Sequence, residues 1–354
     1  MILFYGPYSG SITGMSLAFQ KVVDSYKADE YYLVDTTRYQ NRIVSTLYAI
    51  VKSKLLLIFN PGIRVIYFTC SRSFLGSVKD IFLLTVCRLF GKRVVNHLHG
   101  ADFRDFIDRY PSFLSPLLNW SYRGVNTSIV LTPGMVKEFE GFPNMEKSIV
   151  PNFYPADFDK LSTSSNVSFV ISFFSNLMWS KGIFDFLEAA KIVSSKNSIA
   201  KFQIGGKFMT DRYMNEDMVS QRFFDFLKRN EHLNIHYIGP IEVSKRKDFL
   251  EKSSILVLPS HSEGFPLVIP EAMRCGNAII ATKVNYLSEI VNEENGSLVS
   301  PKNPKEIAHA ILRYLDDRHI LKKKQNNNIQ VALNNYSESE YIQSVRRVIE
   351  SVTK

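Results

Sequence analysis

The chain has 354 residues, more than a single hydrophobic core usually holds, and this length predicts two domains. Its composition, 45% hydrophobic and 22% charged, is typical of a globular protein, and a formal net charge of +9 favours anionic partners such as phosphates or a membrane surface. Nucleic acid is not expected, because the basic residues are dispersed and match no nucleic-acid-binding signature. Three scattered cysteines, Cys70, Cys87 and Cys275, have no metal or redox spacing and indicate reduced thiols in the cytoplasm.

The N-terminus has no basic region followed by a long apolar core, so no signal peptide is expected. The longest apolar runs, such as Ile81–Val86, are too short to span a bilayer. Between Arg42 and Leu57, apolar residues recur at helical spacing with cations at the ends. This pattern fits a helix that docks on an anionic membrane, and it equally fits an ordinary core-facing helix.

The first part of the chain alternates short apolar runs with amphipathic stretches, which is typical of a parallel sheet covered by helices. The predicted strands are Met1–Tyr5, Tyr31–Val34, Val65–Thr69, Arg93–Leu98 and Ser128–Thr132, and helices are predicted over Ser16–Ser25 and Val78–Leu89. Residues 152–168 are polar and aperiodic, and we interpret them as a linker.

The same alternation begins again after the linker. Strands are predicted at Ser168–Phe174, Lys201–Ile204, Ile235–Ile238, Ile255–Leu258 and Ala278–Thr282, and helices at Ile183–Ser194, Gln221–Asn230, Pro266–Cys275, Pro304–Leu315 and Glu338–Ser351. The run Asn326–Asn328 is interpreted as a solvated helix end or loop. The predicted class is therefore α/β, with two doubly wound Rossmann-like domains facing a cleft and ligand at the carboxyl ends of the strands.

One segment of the second domain is especially informative. A buried strand at Ile255–Leu258 runs into a Gly/Pro turn, and a helix is predicted from Pro266 with Glu263 before it and Glu271 inside it. A helix start carries about half a positive charge and attracts phosphate. Eight residues of helix separate two carboxylates by about 12 Å at 1.5 Å per residue. Because glycoside hydrolases need about 5 to 9.5 Å, two separate binding roles fit better, although a plain turn and a solvated glutamate would look alike.

These residues resemble the E-x7-E signature of glycosyltransferase family 4, whose members have the GT-B fold, and the resemblance extends over nearly the whole chain. It implies retaining transfer of a sugar from a nucleotide diphosphate donor, with no catalytic metal and no cofactor. It also implies that Glu271 holds the ribose hydroxyls and Glu263 the sugar hydroxyls. The backbone of Gly264, Phe265, Pro266 and Leu267 would surround the diphosphate.

Three further segments match the donor side of that family. In Asn176 to Gly182, Lys181 is kept for the diphosphate, but Asn176 stands where the family usually has arginine. The strand end Gly205-Gly206 would let backbone approach the nucleotide, and Ile238-Gly239 resembles the segment that reads the base. Each segment alone also fits an ordinary turn or an exposed lysine.

In the first domain, the resemblance assigns Gly14 to a glycine-rich loop over the donor phosphates, and His99, directly before a glycine, to the transferring sugar. His97 shares a face with His99 and is interpreted as structural. Asp102 and Arg104 are candidates for the acceptor pocket. The D-x-D spacing of Asp157 and Asp159 falls in the linker, and no metal site is expected there.

The resemblance implies domains at residues 1–155 and 166–336, with a last helix, 337–354, packing back on the first. The predicted function is a cytoplasmic, membrane-peripheral hexosyltransferase that serves bacterial surface polysaccharide or lipopolysaccharide assembly on a glycan or lipid-linked acceptor. Two alternatives stay open: a nucleotide-sugar epimerase or hydrolase of the same fold, and a non-catalytic nucleotide-binding subunit, for which Asn176 would be an early sign.

Overall fold

The computed structural model describes residues 1–10, 13–160 and 169–353. Residues 161–168 of the predicted linker and Ser11 and Ile12 of the glycine-rich loop lie outside this part. The contacts divide the chain into two compact units. Unit 1 comprises Met1–Asn152 and Ser339–Lys354, and unit 2 comprises Phe153–Glu338. Each unit contains a six-stranded sheet whose neighbouring strands pair in parallel, which confirms the predicted α/β class.

Unit 1 is built on the strand order β2-β1-β3-β4-β5-β6. Its strands are β1 (Ile2–Gly6), β2 (Tyr31–Asp35), β3 (Val65–Thr69), β4 (Arg93–His97), β5 (Thr127–Val130) and β6 (Glu146–Ile149). Its helices are α1 (Gly14–Asp24), α2 (Arg42–Phe59), α3 (Phe74–Leu89), α4 (Phe103–Asp108), α5 (Ser115–Tyr122) and, from the end of the chain, α12 (Glu338–Ser351). Every residue of β3 is buried, as expected for a central parallel strand covered on both faces.

Unit 2 has the strand order β12-β11-β10-β7-β8-β9. Its strands are β7 (Val170–Phe174), β8 (Lys201–Gly205), β9 (Ile235–Gly239), β10 (Ile255–Leu258), β11 (Ala278–Thr282) and β12 (Gly296–Val299). Its helices are α6 (Ile183–Ser194), α7 (Glu216–Arg229), α8 (Arg246–Glu251), α9 (Val268–Arg274), α10 (Pro304–Asp316) and α11 (Arg318–Asn335). The apolar face of α6 and the strands β7, β8 and β10 share one buried core.

Each sheet reverses its strand order at one point. In unit 1 the chain moves to opposite sides of β1, because β2 and β3 both pair with it. In unit 2 the reversal lies between β7 and β10, which also pair in parallel. Connections leave such a point in opposite directions and open a crevice at the carboxyl ends of the strands. The fold therefore designates the loops after β1 and β3, and after β7 and β10, as ligand sites.

Some sequence predictions were wrong in detail. The run Asn326–Asn328 lies inside α11, where Asn328 is fully buried and its amide donates to the backbone oxygens of Asn277 (2.7 Å) and Asn295 (2.8 Å). One asparagine of the run is thus buried because backbone oxygens accept both hydrogen bonds of its amide group, while Asn326 stays exposed. Helix α9 begins at Val268 rather than Pro266, because the Pro266 oxygen accepts from the Ile269 amide in a turn before the helix. The edge strands β6 and β12 were not predicted.

Helix α2 is buried on one side and exposes a row of large apolar residues on the other. Ser45, Ala49, Ser53 and Leu57 form the buried side. The opposite side carries five apolar residues at four-residue intervals, here called the outer stripe of α2: Ile43, Leu47, Val51, Leu55 and Phe59, between 49% and 74% exposed. Within the described ranges, no helix combines the length and the apolar character that crossing a membrane requires.

Candidate active site

The reversal point of unit 2 holds an ion pair. Lys181 ends the loop after β7, Glu263 lies in the loop after β10, and the Lys181 ammonium contacts the Glu263 carboxylate. Their side chains are 21% and 10% exposed, and the Ser260 hydroxyl donates to the same carboxylate oxygen at 3.0 Å. The loops approach closely because Gly182 has φ of 73° and a Cβ there would overlap the Pro259 carbonyl. A cation and a hydrogen-bonded carboxylate are thus fixed at the predicted ligand edge.

Glu271 forms a second, more deeply buried cluster on α9. One carboxylate oxygen lies 3.4 Å from the Arg246 guanidinium, and the other has no hydrogen-bond partner among the described residues. Burial raises the pKa of Glu271 to about 7, against the opposing charge of Arg246. An unpartnered buried carboxylate oxygen is costly unless a ligand completes it. Sequence reasoning missed Arg246, because no motif marks the start of α8 and only the tertiary fold brings it to Glu271.

Three backbone segments surround the ends of β8 and β9. Gly206 donates its amide to the Gly239 oxygen at 2.9 Å, and a Cβ on Gly206 (φ 150°) would overlap the Ser175 carbonyl. Gly205 is likewise closely covered, and Ile238 is 56% exposed at the edge of the sheet. The loop after β7 therefore packs directly on the two-glycine strand end, as close backbone approach requires.

Asn176 is exposed in the loop after β7, as is Lys207 after β8. Neither side chain forms an ion pair or a side-chain hydrogen bond with the described part of the chain. In particular, neither contacts the Lys181–Glu263 pair, so neither takes the place of the arginine that the family usually has. In the turn before α9, Gly264, Phe265 and Leu267 are buried, and the Phe265 ring packs edge-on against Tyr336 at 5.4 Å. Helix α9 has only seven residues, and a helix start carries about half a positive charge, less than the full charge of the Lys181 ammonium.

A histidine that sequence reasoning missed supports the Lys181 loop. His261 places Nε2 2.7 Å from the Asp185 carboxylate, packs edge-on against the Trp179 ring, and donates its amide to the Ser180 oxygen at 2.8 Å. The available signal was its position two residues before Glu263. These contacts connect the loop after β10 to the loop after β7 and to α6, which rigidifies the ion pair.

In unit 1, two histidines stack at the end of β4. The rings of His97 and His99 lie 4.0 Å apart, and His97 Nδ1 is 2.6 Å from the Tyr67 hydroxyl. Nε2 of each ring has no partner among the described residues. Desolvation and the charge of Arg72 lower the pKa of His99 to about 3, so His99 is neutral at physiological pH. A neutral, oriented imidazole can donate or accept one hydrogen bond to a ligand.

A cavity of about 960 Å³ opens at the carboxyl ends of β1, β2 and β3, at the reversal point of this sheet. Asp102 lines it and forms an ion pair with Arg72. Arg104 instead pairs with Glu140 at 2.6 Å on the surface. Gly14 is the first residue of α1, between the cavity-lining Thr13 and Met15. Of the acceptor-side predictions, the structure thus places Asp102 at the cavity and turns Arg104 toward Glu140.

The Asp157-x-Asp159 motif occupies a short 3-10 helix, where Asp159 accepts from the Tyr154 hydroxyl at 3.0 Å and lies 3.5 Å from Arg274. Across the described ranges, no group of three or more His, Cys, Asp or Glu side chains has the arrangement of a metal site.

Residues 157–332, which lie in unit 2, match the family model described as glycosyl transferases group 1. An uncharacterized glycosyltransferase of Methanocaldococcus jannaschii is 29% identical over 40% of this chain and 40% of its own length. The N,N'-diacetylbacillosaminyl-diphospho-undecaprenol alpha-1,3-N-acetylgalactosaminyltransferase of Campylobacter jejuni is 27% identical over 52% of this chain. The matches span less than half the length of these relatives, 40% and 46% respectively.

The fold comparison covers the whole chain. Anabaena HepE in complex with UDP superposes with a TM-score of 0.79 at 16% identity, covering 99% of both chains. Sucrose-phosphate synthase of Thermosynechococcus elongatus gives 0.77 at 14% identity, covering 100% of this chain and 99% of the other. These structures, at 16% and 14% identity, show that the chain has the GT-B fold, and the glycosyl transferases group 1 model matches residues 157–332 of it.

Proposed function

We propose that the protein is a retaining, metal-independent glycosyltransferase of family 4 that moves a sugar from a nucleotide diphosphate donor to an acceptor hydroxyl. The observation that carries the proposal is the Lys181–Glu263 pair at the reversal point of unit 2. Charged ligands bind at this place in doubly wound sheets, and the pair offers one group for a diphosphate and one for sugar hydroxyls. HepE, which shares the fold, has been solved with UDP and with UDP-glucose, which supports a nucleotide-sugar donor.

Glu271 is assigned to the ribose. Its unpartnered oxygen can accept from a hydroxyl, while Arg246 orients the other oxygen. Burial disfavours the ionised form of Glu271 and raises its pKa to about 7. A ribose hydroxyl that donates a hydrogen bond to this carboxylate would stabilise the ionised form. Gly205, Gly206 and the Ile238-Gly239 segment supply backbone beside the nucleotide.

In the proposed reaction, the bond between the sugar C1 and the diphosphate oxygen breaks as the acceptor oxygen bonds C1 on the same face. The acceptor proton passes to the departing diphosphate. Lys181 stabilises the charge that develops on this leaving group, which is electrostatic stabilisation directed at the transition state. His99, neutral and with an unpartnered ring nitrogen, is assigned to the hydroxyls of the transferring sugar.

Surface polysaccharide assembly is the proposed context, because relatives include the Campylobacter jejuni transferase and a capsular polysaccharide biosynthesis glycosyltransferase of Staphylococcus aureus, 28% identical over 44% of this chain. The outer stripe of α2, with Arg42, Lys52 and Lys54 on the same helix, is the proposed contact with an anionic membrane. Apolar area and cations together are what interfacial helices use.

The enzymatic proposal is tested by thermal-shift screening of nucleoside diphosphates and their sugars, followed by release of the nucleotide from the best donor. Release that requires an acceptor extract supports transfer. Rapid release from donor alone indicates a hydrolase or epimerase, and binding without release in any extract indicates a non-catalytic subunit.

Membrane contact is tested by co-sedimentation with phosphatidylcholine/phosphatidylglycerol vesicles. The variant Leu47→Glu/Val51→Glu changes two exposed residues of the outer stripe and should lose most vesicle binding. Its control, Ile199→Glu/Leu333→Glu, makes the same charge change at exposed apolar residues of unit 2 and should bind normally. Equal loss of vesicle binding in both variants would mean that the net charge of the protein, and not the outer stripe of α2, determines binding.

A further inference from the structure

The cavity of unit 1 is strongly basic. Four cationic side chains line it, and they come from four different segments: Arg38 from the loop after β2, Arg42 from the start of α2, Arg72 from the loop after β3 and Lys79 from α3. Cations grouped in one concave surface raise the local concentration of anions. The groups assigned above to the nucleotide lie in unit 2, and the acceptor candidate Asp102 lines this cavity without indicating which acceptor chemistry the cavity recognises.

Two of the four cations are neutralised by carboxylates. Arg72 pairs with Asp102, and the Lys79 ammonium lies 2.6 Å from the fully buried Asp80. Arg38 and Arg42 are exposed and have no acidic partner among the described residues, and the Arg38 guanidinium rests over the Tyr48 ring at 5.4 Å. Two uncompensated guanidinium groups therefore remain at the cavity.

Asp35, at the end of β2, does not cancel them. One of its oxygens accepts from the Tyr8 amide (3.0 Å) and the Thr37 hydroxyl (2.8 Å), and the other from the Ser9 amide (3.0 Å). It fixes the cavity loops and, in an adjoining cavity of about 540 Å³, it shares the lining with Lys52. With Arg72 and Lys79 paired, Arg38 and Arg42 leave a charge of about +2 at the cavity, opposite in sign and equal in magnitude to the charge of about −2 that a phosphate monoester carries at pH 7.

The remaining lining suits phosphate oxygens. Hydroxyl groups dominate it, and the first turns of α1, α2 and α3 all contribute to the wall. Helix N-termini favour anions and add to the cations. The hydroxyl-bearing residues are Ser9, Thr13, Ser16, Thr36, Thr37, Tyr39, Ser45, Thr46, Thr69, Ser71 and Ser73.

The cavity also borders the histidine assigned to the transferring sugar. The Arg72 guanidinium lies so close to the backbone of Gly100 that a Cβ there would overlap it. Gly100 directly follows His99, and the charge of Arg72 contributes to the lowered pKa of that ring. One of the cavity cations therefore lies beside the residue that follows His99, so the cavity adjoins the assigned histidine.

We propose that this cavity binds a phosphate or diphosphate group of the acceptor, with Arg38 and Arg42 as its direct cationic contacts. The inference rests on the proposed function and names its acceptor class as phosphate-bearing. The phosphate can belong to a lipid carrier or to a water-soluble compound. Because the outer stripe of α2 begins beside Arg42, a lipid-borne phosphate would have an apolar surface next to its binding groups.

The experiment uses the full chain saturated with the nucleoside diphosphate that stabilises it most. Calorimetric titration with phenyl phosphate measures the soluble source, and co-sedimentation with phosphatidylcholine vesicles containing a polyprenyl phosphate measures the lipid source. Binding in either arm supports the inference and identifies the source. Loss of phosphate binding on addition of the nucleotide would overturn it, because the anion would then occupy the donor site.

The decisive variant is Arg38→Gln/Arg42→Gln, expected to weaken phosphate binding at least about tenfold, as loss of charge-assisted hydrogen bonds does. Its control is Arg64→Gln/Arg93→Gln, the same charge change at exposed residues on the amino-end edge of the sheet, where binding should be unchanged. Asp102→Asn, which releases Arg72, should tighten binding about threefold or more. Equal weakening in the control would overturn the site.

Failure of this inference is distinguishable from failure of the enzymatic proposal. A protein that binds nucleoside diphosphate but neither phosphate probe keeps its donor site and loses this acceptor class. A protein that binds no nucleotide loses the proposed function itself. Melting temperatures of the variants are recorded in the same titrations, and Arg42→Gln alone serves if the double variant is destabilised through the Arg38–Tyr48 contact.

Discussion

The two sheet-reversal points handle charge in opposite ways. In unit 2, Lys181 is already paired with Glu263, and Arg246 with Glu271, in places where little solvent reaches the carboxylates. In unit 1, Arg38 and Arg42 stand exposed at the wall of an open cavity, and no acidic residue in the described part of the chain pairs with them. Both sites use the same feature of the doubly wound sheet, the gap at the carboxyl ends of its strands.

The difference indicates how each site recognises its ligand. Paired, hydrogen-bonded charges are oriented before the ligand arrives, so they suit a step in which small displacements change the rate. Exposed, unpaired cations bind an anion with less geometric demand and suit capture of a charged substrate. Unit 2 is therefore the candidate for chemistry on the leaving group, and unit 1 for holding the acceptor. Four predictions test this contrast, from the largest expected effect to the smallest.

Lys181→Ala should lower donor turnover about 10²- to 10³-fold, the usual effect of removing one preorganised charge stabiliser. Stability should fall by about 1 to 3 kcal/mol, because Glu263 is only 10% exposed and would lose its cation while it keeps the hydrogen bond from Ser260. Nucleotide release and urea unfolding measure the two effects. Lys201→Ala, an exposed lysine at the opposite end of the same sheet, is the control and should change neither. Unchanged turnover in Lys181→Ala would contradict the assignment of the leaving-group role.

The free energy of unfolding of the wild-type protein should fall as pH rises from 4.5 to about 7, and Glu271→Gln should abolish this fall. The unfolded carboxyl ionises near its ordinary value of 4.5, whereas the native one keeps its proton to about pH 7. Ionisation in this window therefore favours unfolding, by about 3 kcal/mol at the upper bound. Urea unfolding at pH 4.5 and pH 8 measures it. The variant should also bind nucleotide about tenfold more weakly, while the exposed Glu188→Gln changes neither property.

His99→Gln should flatten the acid side of the stability profile. The unfolded imidazole gains its proton below its ordinary pKa of 6.5, whereas native His99 stays neutral down to about pH 3. Acidification through this window therefore costs the wild-type protein stability, about 2 kcal/mol after discounting for partial exposure. The difference between the unfolding curves of variant and wild type gives the value. A parallel pair of pH profiles would show that His99 is not desolvated, and exposed His232→Gln gives the reference.

Asn176→Arg should have the smallest effect, a gain in nucleotide affinity of about threefold to tenfold. The side chain is exposed in the loop that ends at Lys181, so an added guanidinium can reach the same anion without core rearrangement. Thermal shift with the preferred nucleoside diphosphate measures it. Lys207→Arg, which keeps its charge in the next loop, should leave affinity unchanged. Weaker binding by Asn176→Arg would mean that the asparagine amide itself contacts the ligand.

Much of the fold was readable from local patterns. Helices α6 and α12 match their predicted limits, Ile183–Ser194 and Glu338–Ser351, because apolar residues repeat at helical spacing through both. Strand β6 was missed because its four residues are polar or exposed at the sheet edge. Strand β12 was missed because it begins with Gly-Ser. Both strands lack the continuous buried apolar run on which strand prediction depends.

The candidate site was readable where one segment carries its own chemistry. Lys181, Glu263 and Glu271 stand next to turns that the sequence identifies. The sequence did not identify four other residues of the two sites: Arg246, His261, Arg38 and Arg42. Their roles depend on partners far away in the chain or, for the two last, on the lack of acidic partners among the described residues. For example, Asp80 neutralises Lys79 because the fold buries the Asp80 carboxylate within contact of the Lys79 ammonium. Tertiary packing, not local spacing, decides such pairings.

Because helix α12 packs with unit 1, the two units are completed at different stages of protein synthesis. Its Tyr341, Val345 and Ile349 are buried with unit 1, and Arg346 donates to the Ser25 oxygen at 2.5 Å and covers the Tyr26 ring at 4.1 Å. Unit 2, by contrast, is one uninterrupted stretch of chain. A ribosome therefore releases every residue of the later-starting unit before the earlier-starting one has its final helix. Unit 1 therefore stays incomplete until after unit 2 has been synthesised. Removal of Ser339–Lys354 would destabilise unit 1, the unit whose synthesis begins first.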